Sequence, residues 1–109
     1  MDAQLAAPVS DFLGAFIGRA LRERLRYRYV HPVVRREGEG FRIESPCCSR
    51  NVDRAGGVID IALLRPAAGR WQLCWRDHAA GAWVLHARAL PLADALEAVC
   101  IDKERKFWP

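Results

Sequence analysis

Lysine is nearly missing from this chain. Of 17 basic residues only Lys103 and Lys106 are lysine, so arginine carries almost all of the positive charge. A GC-rich genome produces that bias as readily as a chemical role does, and the net charge of +4 falls short of a strongly basic nucleic-acid footprint. No run approaches the roughly 18 consecutive apolar residues that mark a membrane-spanning helix. The most apolar N-terminal stretch, Phe12 to Leu21, is interrupted by Arg19. It has neither a basic region ahead of it nor a small-residue cleavage site behind it, so no export signal is read. The expected compartment is the cytoplasm, with no membrane association, and the four cysteines are expected to be reduced there. Cys-x-x-Cys and His-x-x-x-His are also lacking. Structural zinc sites draw ligands in such close pairs, so no metal and no cofactor is expected.

What is present is globular. Hydrophobic residues make up 51% of the 109 and charged residues 28%, a balance that folds rather than remaining disordered. A chain of this length buries about 65% of its unfolded surface, enough for a core without covalent staples. Four tryptophans supply a large share of that core, and each brings an indole N–H that needs a partner when buried.

Periodicity sets out the elements. Val9, Phe12, Leu13, Phe16, Ile17, Ala20 and Leu21 recur as one helical stripe, with Pro8 and a Ser10 cap at its start and an end between Arg22 and Arg26. Tyr27 to Val30 and Phe41 to Glu44 alternate as strands. Gly38-Glu39-Gly40, after Val33 to Arg36, reads as a hairpin turn, and Pro32 marks an edge or bulge. Val58 to Leu64 is apolar on both faces, which predicts a central strand closed by Pro66 and Gly69. Trp71, Leu73 and Trp75 point to one face of the next strand. Trp83 and Leu85 are read as continuing that face across a loop from Asp77 to Gly81. The other face, with Gln72, Cys74, Arg76, Val84 and His86, is then largely wet. Pro91 opens a last helix with Leu92, Leu96, Val99 and Cys100 in its stripe, and the Phe107-Trp108 tail folds back onto the sheet. The sequence thus predicts one α+β domain over residues 1–109. Its sheet is antiparallel, of about five strands, with an N-terminal and a C-terminal helix packed on one face.

The run Gly69-Arg70-Trp71-Gln72-Leu73-Cys74-Trp75-Arg76-Asp77 is followed by Gly81, Trp83 and the ending from Asp102 to Phe107-Trp108. These residues resemble a bacterial family of small proteins known as domain of unknown function 3024. That family has a Trp-x-Leu-Tyr-Trp strand, an Asp turn, a further Trp and a Phe-Trp-Gly end. The resemblance lies mainly in the C-terminal half. Cys74 stands where the family has tyrosine and Pro109 where it has glycine, and Pro46 to Arg50 falls outside the pattern. The resemblance implies an α+β fold and a bacterial origin, and it carries no activity and no site residues.

Three constellations bear on function. Cys47, Cys48, Arg50 and Asp53 form the leading candidate binding site, because reactive and polar groups concentrate there in a loop held by a sheet. Arg50 or a backbone amide would lower a thiol pKa. The plainer reading is a tight loop, with Pro46 and Asn51 setting turns and the cysteines buried as small hydrophobes. Arg19, Arg22, Arg26 and Arg28 form a candidate nucleic-acid surface, but Tyr27 and Tyr29 alternate with the strand arginines and point away from them. Cys74 and His86, placed on one sheet face, are a conceivable nucleophile and base, without the enclosed pocket that catalysis needs. Gly14 and Gly18, one turn apart, hint at close helix approach in a homodimer. The functional expectation is a small non-enzymatic binding or accessory domain acting through a protein partner. The alternatives are nucleic-acid binding through the arginines and a thiol- or metal-dependent activity in the Cys47–Cys48 loop.

Overall fold

A computed structural model describes residues 2–22, 31–46 and 57–108, with side chains described from residue 12 onward in the first span. Helix α1 (Asp2–Leu21) begins at Asp2 rather than at the expected Ser10 cap. Ala3, Gln4, Leu5, Ala6 and Ala7 are strong helix formers and carry the helix through Pro8. It ends at Leu21, and the Arg22 N–H donates back to the Arg19 carbonyl at 3.2 Å. The apolar stripe of α1 divides. Ile17 and Leu21 are fully buried and Leu13 and Ala20 pack partly against them, whereas Phe12 and Phe16 face outward. A stripe of seven residues is wider than one helix can turn toward a single sheet.

Among the described residues five strands follow as an antiparallel meander in sequence order. They are β1 (Val33–Glu37), β2 (Gly40–Pro46), β3 (Val58–Ala67), β4 (Arg70–Asp77) and β5 (Ala82–Leu90), and helix α2 (Leu92–Ile101) closes the element list. The strand expected over Tyr27 to Val30 lies outside the described residues. Both helices pack on one face of the sheet, α1 toward β1 and α2 over β4 and β5, and they share one core with Phe41, Ile43, Ile61, Ala62, Leu64 and Leu73.

The expected hairpin turn holds: Glu37 pairs with Gly40 across Gly38-Glu39, and Gly38 has φ +59°. Gly40 is glycine for a separate reason. A Cβ there would stand 1.9 Å from the Leu64 carbonyl oxygen, so the backbones of β2 and β3 can meet only without a side chain. β3 is the middle strand, as its two-faced apolarity predicts. Ile43 pairs with Ala62 and Glu44 with Asp60, which leaves Ile61 as an extra residue, so Ile61 and Ala62 both join the helix-side core. Pro66 does not end the strand. The pairing with β2 is complete at Phe41↔Leu64, so Pro66, opposite Trp71, lies where β3 is locally an edge. Ala68 and Gly69 both have positive φ, the twist that matches a tight hairpin.

The β4–β5 hairpin departs from expectation in its faces. Asp77 pairs with Ala82 across a four-residue loop, which sets Trp75 opposite Val84 and Arg76 opposite Trp83. Trp83 and Leu85 therefore share the helix-free face with Arg76 and Cys74, while Trp71, Leu73 and Trp75 face the helices. Counting alternation along each strand separately does not fix how the two strands are phased; the loop does. The helix-free face is also drier than expected at its centre, where Leu63 is 1% and Cys74 6% exposed.

Gly40→Ala is expected to lower stability by about 3 kcal/mol, since the clash is with backbone and no rotamer relieves it. A urea midpoint unchanged from that of the parent chain would show that β2 and β3 are not so closely apposed.

Candidate functional site

The C-terminal ending is built around a buried carboxylate. Asp102 is the left-handed cap of α2, with φ +47°, and its own N–H donates to the Ala98 carbonyl. Its Oδ1 accepts the amides of Lys106 at 2.7 Å and Phe107 at 3.1 Å, and its Oδ2 accepts that of Trp108 at 2.9 Å. The chain is thereby turned back onto the core, where Phe107 and Trp108 are each 2% exposed. The Trp108 indole N–H donates to the Val99 carbonyl at 2.9 Å, so the buried ring leaves no donor unmet. This confirms the expected return of the aromatic tail and supplies its cause, which periodicity does not reveal.

Between α2 and this ending lies a cleft of about 320 Å³, lined in part by His86, Asp94, Glu97 and Lys103. His86 is the extra residue of a β5 bulge, between the pairs Leu85↔Cys74 and Ala87↔Leu73. Its ring meets Phe107 edge-on at 5.4 Å, so it lies on the helix side. Cys74 lies on the opposite side of the sheet. The conceivable Cys74–His86 pair is thus divided by the sheet itself, and burial pushes the Cys74 thiol up, away from the thiolate, with Arg65 opposing in part.

The helix-free face carries a row of linked charges. Arg35 meets Glu44, and Arg42 reaches Glu37 at 3.4 Å, Glu44 at 3.3 Å and Asp60 at 3.7 Å. Arg76 continues the row, 3.7 Å from Asp60 and with its guanidinium 5.1 Å over the Trp83 ring. These groups neutralise one another across four strands and leave little net charge for a ligand. His78, in the adjacent loop, has its pKa lowered by burial and by Arg76, against the opposing pull of Asp60 and Asp77. The loop itself is set as the turn residues predict, with Asp77 Oδ1 accepting the Ala80 amide at 3.0 Å.

The helix layer exposes two large aromatic rings. Phe12 is 67% and Phe16 39% exposed, one turn apart on α1. Beside them a groove of about 530 Å³ runs between α1 and α2, with Ala20, Leu96, Cys100 and Ile101 among its lining and Arg19 and Glu97 at its rims. Cys100 Sγ lies 3.3 Å from the Ala20 carbonyl and ties the two helices together at this groove. The helical spacing of Phe12 and Phe16 is visible in the sequence; their exposure appears only once Ile17 and Leu21 of the same stripe are seen to take the core.

Cys47, Cys48, Arg50 and Asp53 lie outside the described residues, as do Arg26 and Arg28. Arg19 is exposed on α1 and Arg22 just beyond its end, and Arg19 borders the apolar groove. Gly14 faces Phe41 of β2 and so is not presented to a second helix, whereas the Cβ position of Gly18 is open. Among the described residues no group of three or more His, Cys, Asp or Glu side chains converges as metal ligands. Among the described residues no helix is long and apolar enough to cross a membrane.

Comparison with known proteins bears on the same features. A family model described as Domain of unknown function (DUF3024) matches residues 7–109. The chain belongs to that family. Membership of DUF3024 covers α1 and the first hairpin as well as the C-terminal half, so the resemblance reaches further than the Trp71–Trp83 and Asp102–Trp108 signatures alone. No curated protein and no solved structure matches the chain. In this DUF3024 member the signature residues have structural roles. Trp71, Leu73 and Trp75 line the helix-side face, and Asp102 fastens Phe107 and Trp108.

Asp102→Asn keeps the side chain's shape but replaces one acceptor with a donor, and should cost about 1.5–3 kcal/mol. Hydrogen exchange is the direct check: the amides of Lys106, Phe107 and Trp108 should lose protection before the sheet does. His78 should titrate below its usual value near 6.5, as read by NMR. Because its folded pKa is depressed, the unfolded chain binds the proton more readily. Its contribution to stability is therefore full above about pH 6.5 and is lost as pH falls through the folded pKa. His78→Gln should flatten thermal stability over that acid window.

Proposed function

We propose that this chain is a bacterial, cytoplasmic, non-enzymatic binding domain that acts through a protein partner seated on its helix layer. The observation that carries the reading is the outward pair Phe12 and Phe16 beside the α1–α2 groove. Two exposed aromatic rings next to an apolar groove fit an apolar, helix-bearing protein surface; such rings anchor interfaces by filling pockets and shedding water. The helix-free face supports this role less well: its exposed apolar residues Val33, Val58 and Leu85 are single aliphatic side chains on three non-adjacent strands, beside charges that are already paired. Nucleic-acid binding through the arginines has the weaker support, since Arg19 stands at an apolar groove and Arg35 and Arg42 are engaged by carboxylates.

Phe12→Asp and Phe16→Asp should leave thermal stability within about 0.5 kcal/mol, as befits exposed positions. Both should abolish association with the protein that the parent chain retains in its native host. Leu85→Asp, on the helix-free face, should retain that protein. Equal retention by all three variants, or turnover of a defined substrate by the parent chain, would sink the proposal.

A further inference from the structure

The helix layer presents a ridge and a groove side by side, and the two match each other. On α1, Phe12, Ala15, Phe16 and Arg19 are exposed at helical spacing and form one outward stripe, with small Ala15 between the rings. The neighbouring groove has room for an inserted aromatic ring between Phe16 and Ala20 of α1 and Leu96, Cys100 and Ile101 of α2. Its rims are oppositely charged, Arg19 on α1 and Glu97 on α2. Among the described residues neither rim charge has an ion-pair partner, although the charges of the sheet face are linked to one another.

We infer that the occupant of this face is a second copy of the chain. The inference rests on the reading of the helix layer as a protein-binding surface and names the partner. A two-fold pair uses the same patch on both members, so the patch must contain both halves of each contact. This one does: Phe12 of each copy enters the groove of the other, and Arg19 of each copy meets Glu97 of the other. The two-fold repeats every contact, so one apolar insertion and one ion pair per copy become two of each per dimer. A pair of like-charged rims would repel in that arrangement, and a ridge without an adjoining groove would not close it.

Sedimentation velocity on the full chain should give a mass near twice 12.3 kDa, with dissociation on dilution. Arg19→Glu and Glu97→Arg should each weaken the dimer by about tenfold or more through like-charge contact. The double variant should recover most of the loss, because the swapped charges again oppose each other. Phe12→Asp should give a folded monomer by circular dichroism and sedimentation. A chain that is monomeric at millimolar concentration, or a double variant as weak as the singles, overturns the inference. A photo-crosslinker at position 12, used in the native host, separates the two levels. An adduct to a different protein from a monomeric chain refutes the second copy and leaves the binding surface standing; no protein adduct from a monomeric chain removes both.

Discussion

The Asp102 carboxylate is the constraint on which the closed form of the core depends. A charged group at 3% exposure is costly unless its oxygens are engaged, and here three amides from one short return of chain engage them. The same bonds stop α2, reverse the backbone and deliver Phe107 and Trp108 to the core. Burying two large aromatic side chains contributes on the order of 1.5–3 kcal/mol each, which offsets the ordering of the polar residues between them. Lys106 then lies over the Trp75 ring at 5.9 Å, so the return also covers the helix-side face of β4. The carboxylate therefore acts on three layers at once: helix end, tail and sheet.

The element plan is largely legible from the chain. Turn chemistry at Gly38-Glu39, Ala68-Gly69 and Asp77 to Gly81 separates the strands, and two-faced apolarity marks β3 as central. What escapes is phase. Whether Trp83 faces the helices depends on the closing pair Asp77↔Ala82, and whether Ile61 and Ala62 face the same way depends on a bulge opposite Ile43 and Glu44. Both are properties of pairs of strands, and a period counted along one strand contains neither. The proline at position 66 misleads for a related reason, since its tolerance depends on where β2 stops.

The candidate site is less legible than the fold. Reactive residue types single out Cys47, Cys48, Arg50 and Asp53, and all four lie outside the described residues. Arginine clustering along the sequence points to charge, but on the sheet the arginines alternate with carboxylates from neighbouring strands and the field largely cancels. The surface that stands out instead comes from a surplus: α1 carries more apolar residues than its contact with the sheet can cover. That surplus is present in the sequence as a stripe seven residues strong. Its meaning appears only once Ile17 and Leu21 are seen to fill the core while Phe12 and Phe16 stay outside it.

The irregular end of β5 has a consequence of its own. Two register shifts against β4 and a positive φ at Ala89 break the outer row of amides and carbonyls into short, twisted lengths. An incoming strand finds no continuous template there, which disfavours edge-to-edge addition on that side. Growth into cross-β fibrils requires such extension at every step. The bulge that aims His86 toward Phe107 thus also interrupts the edge that such addition would use.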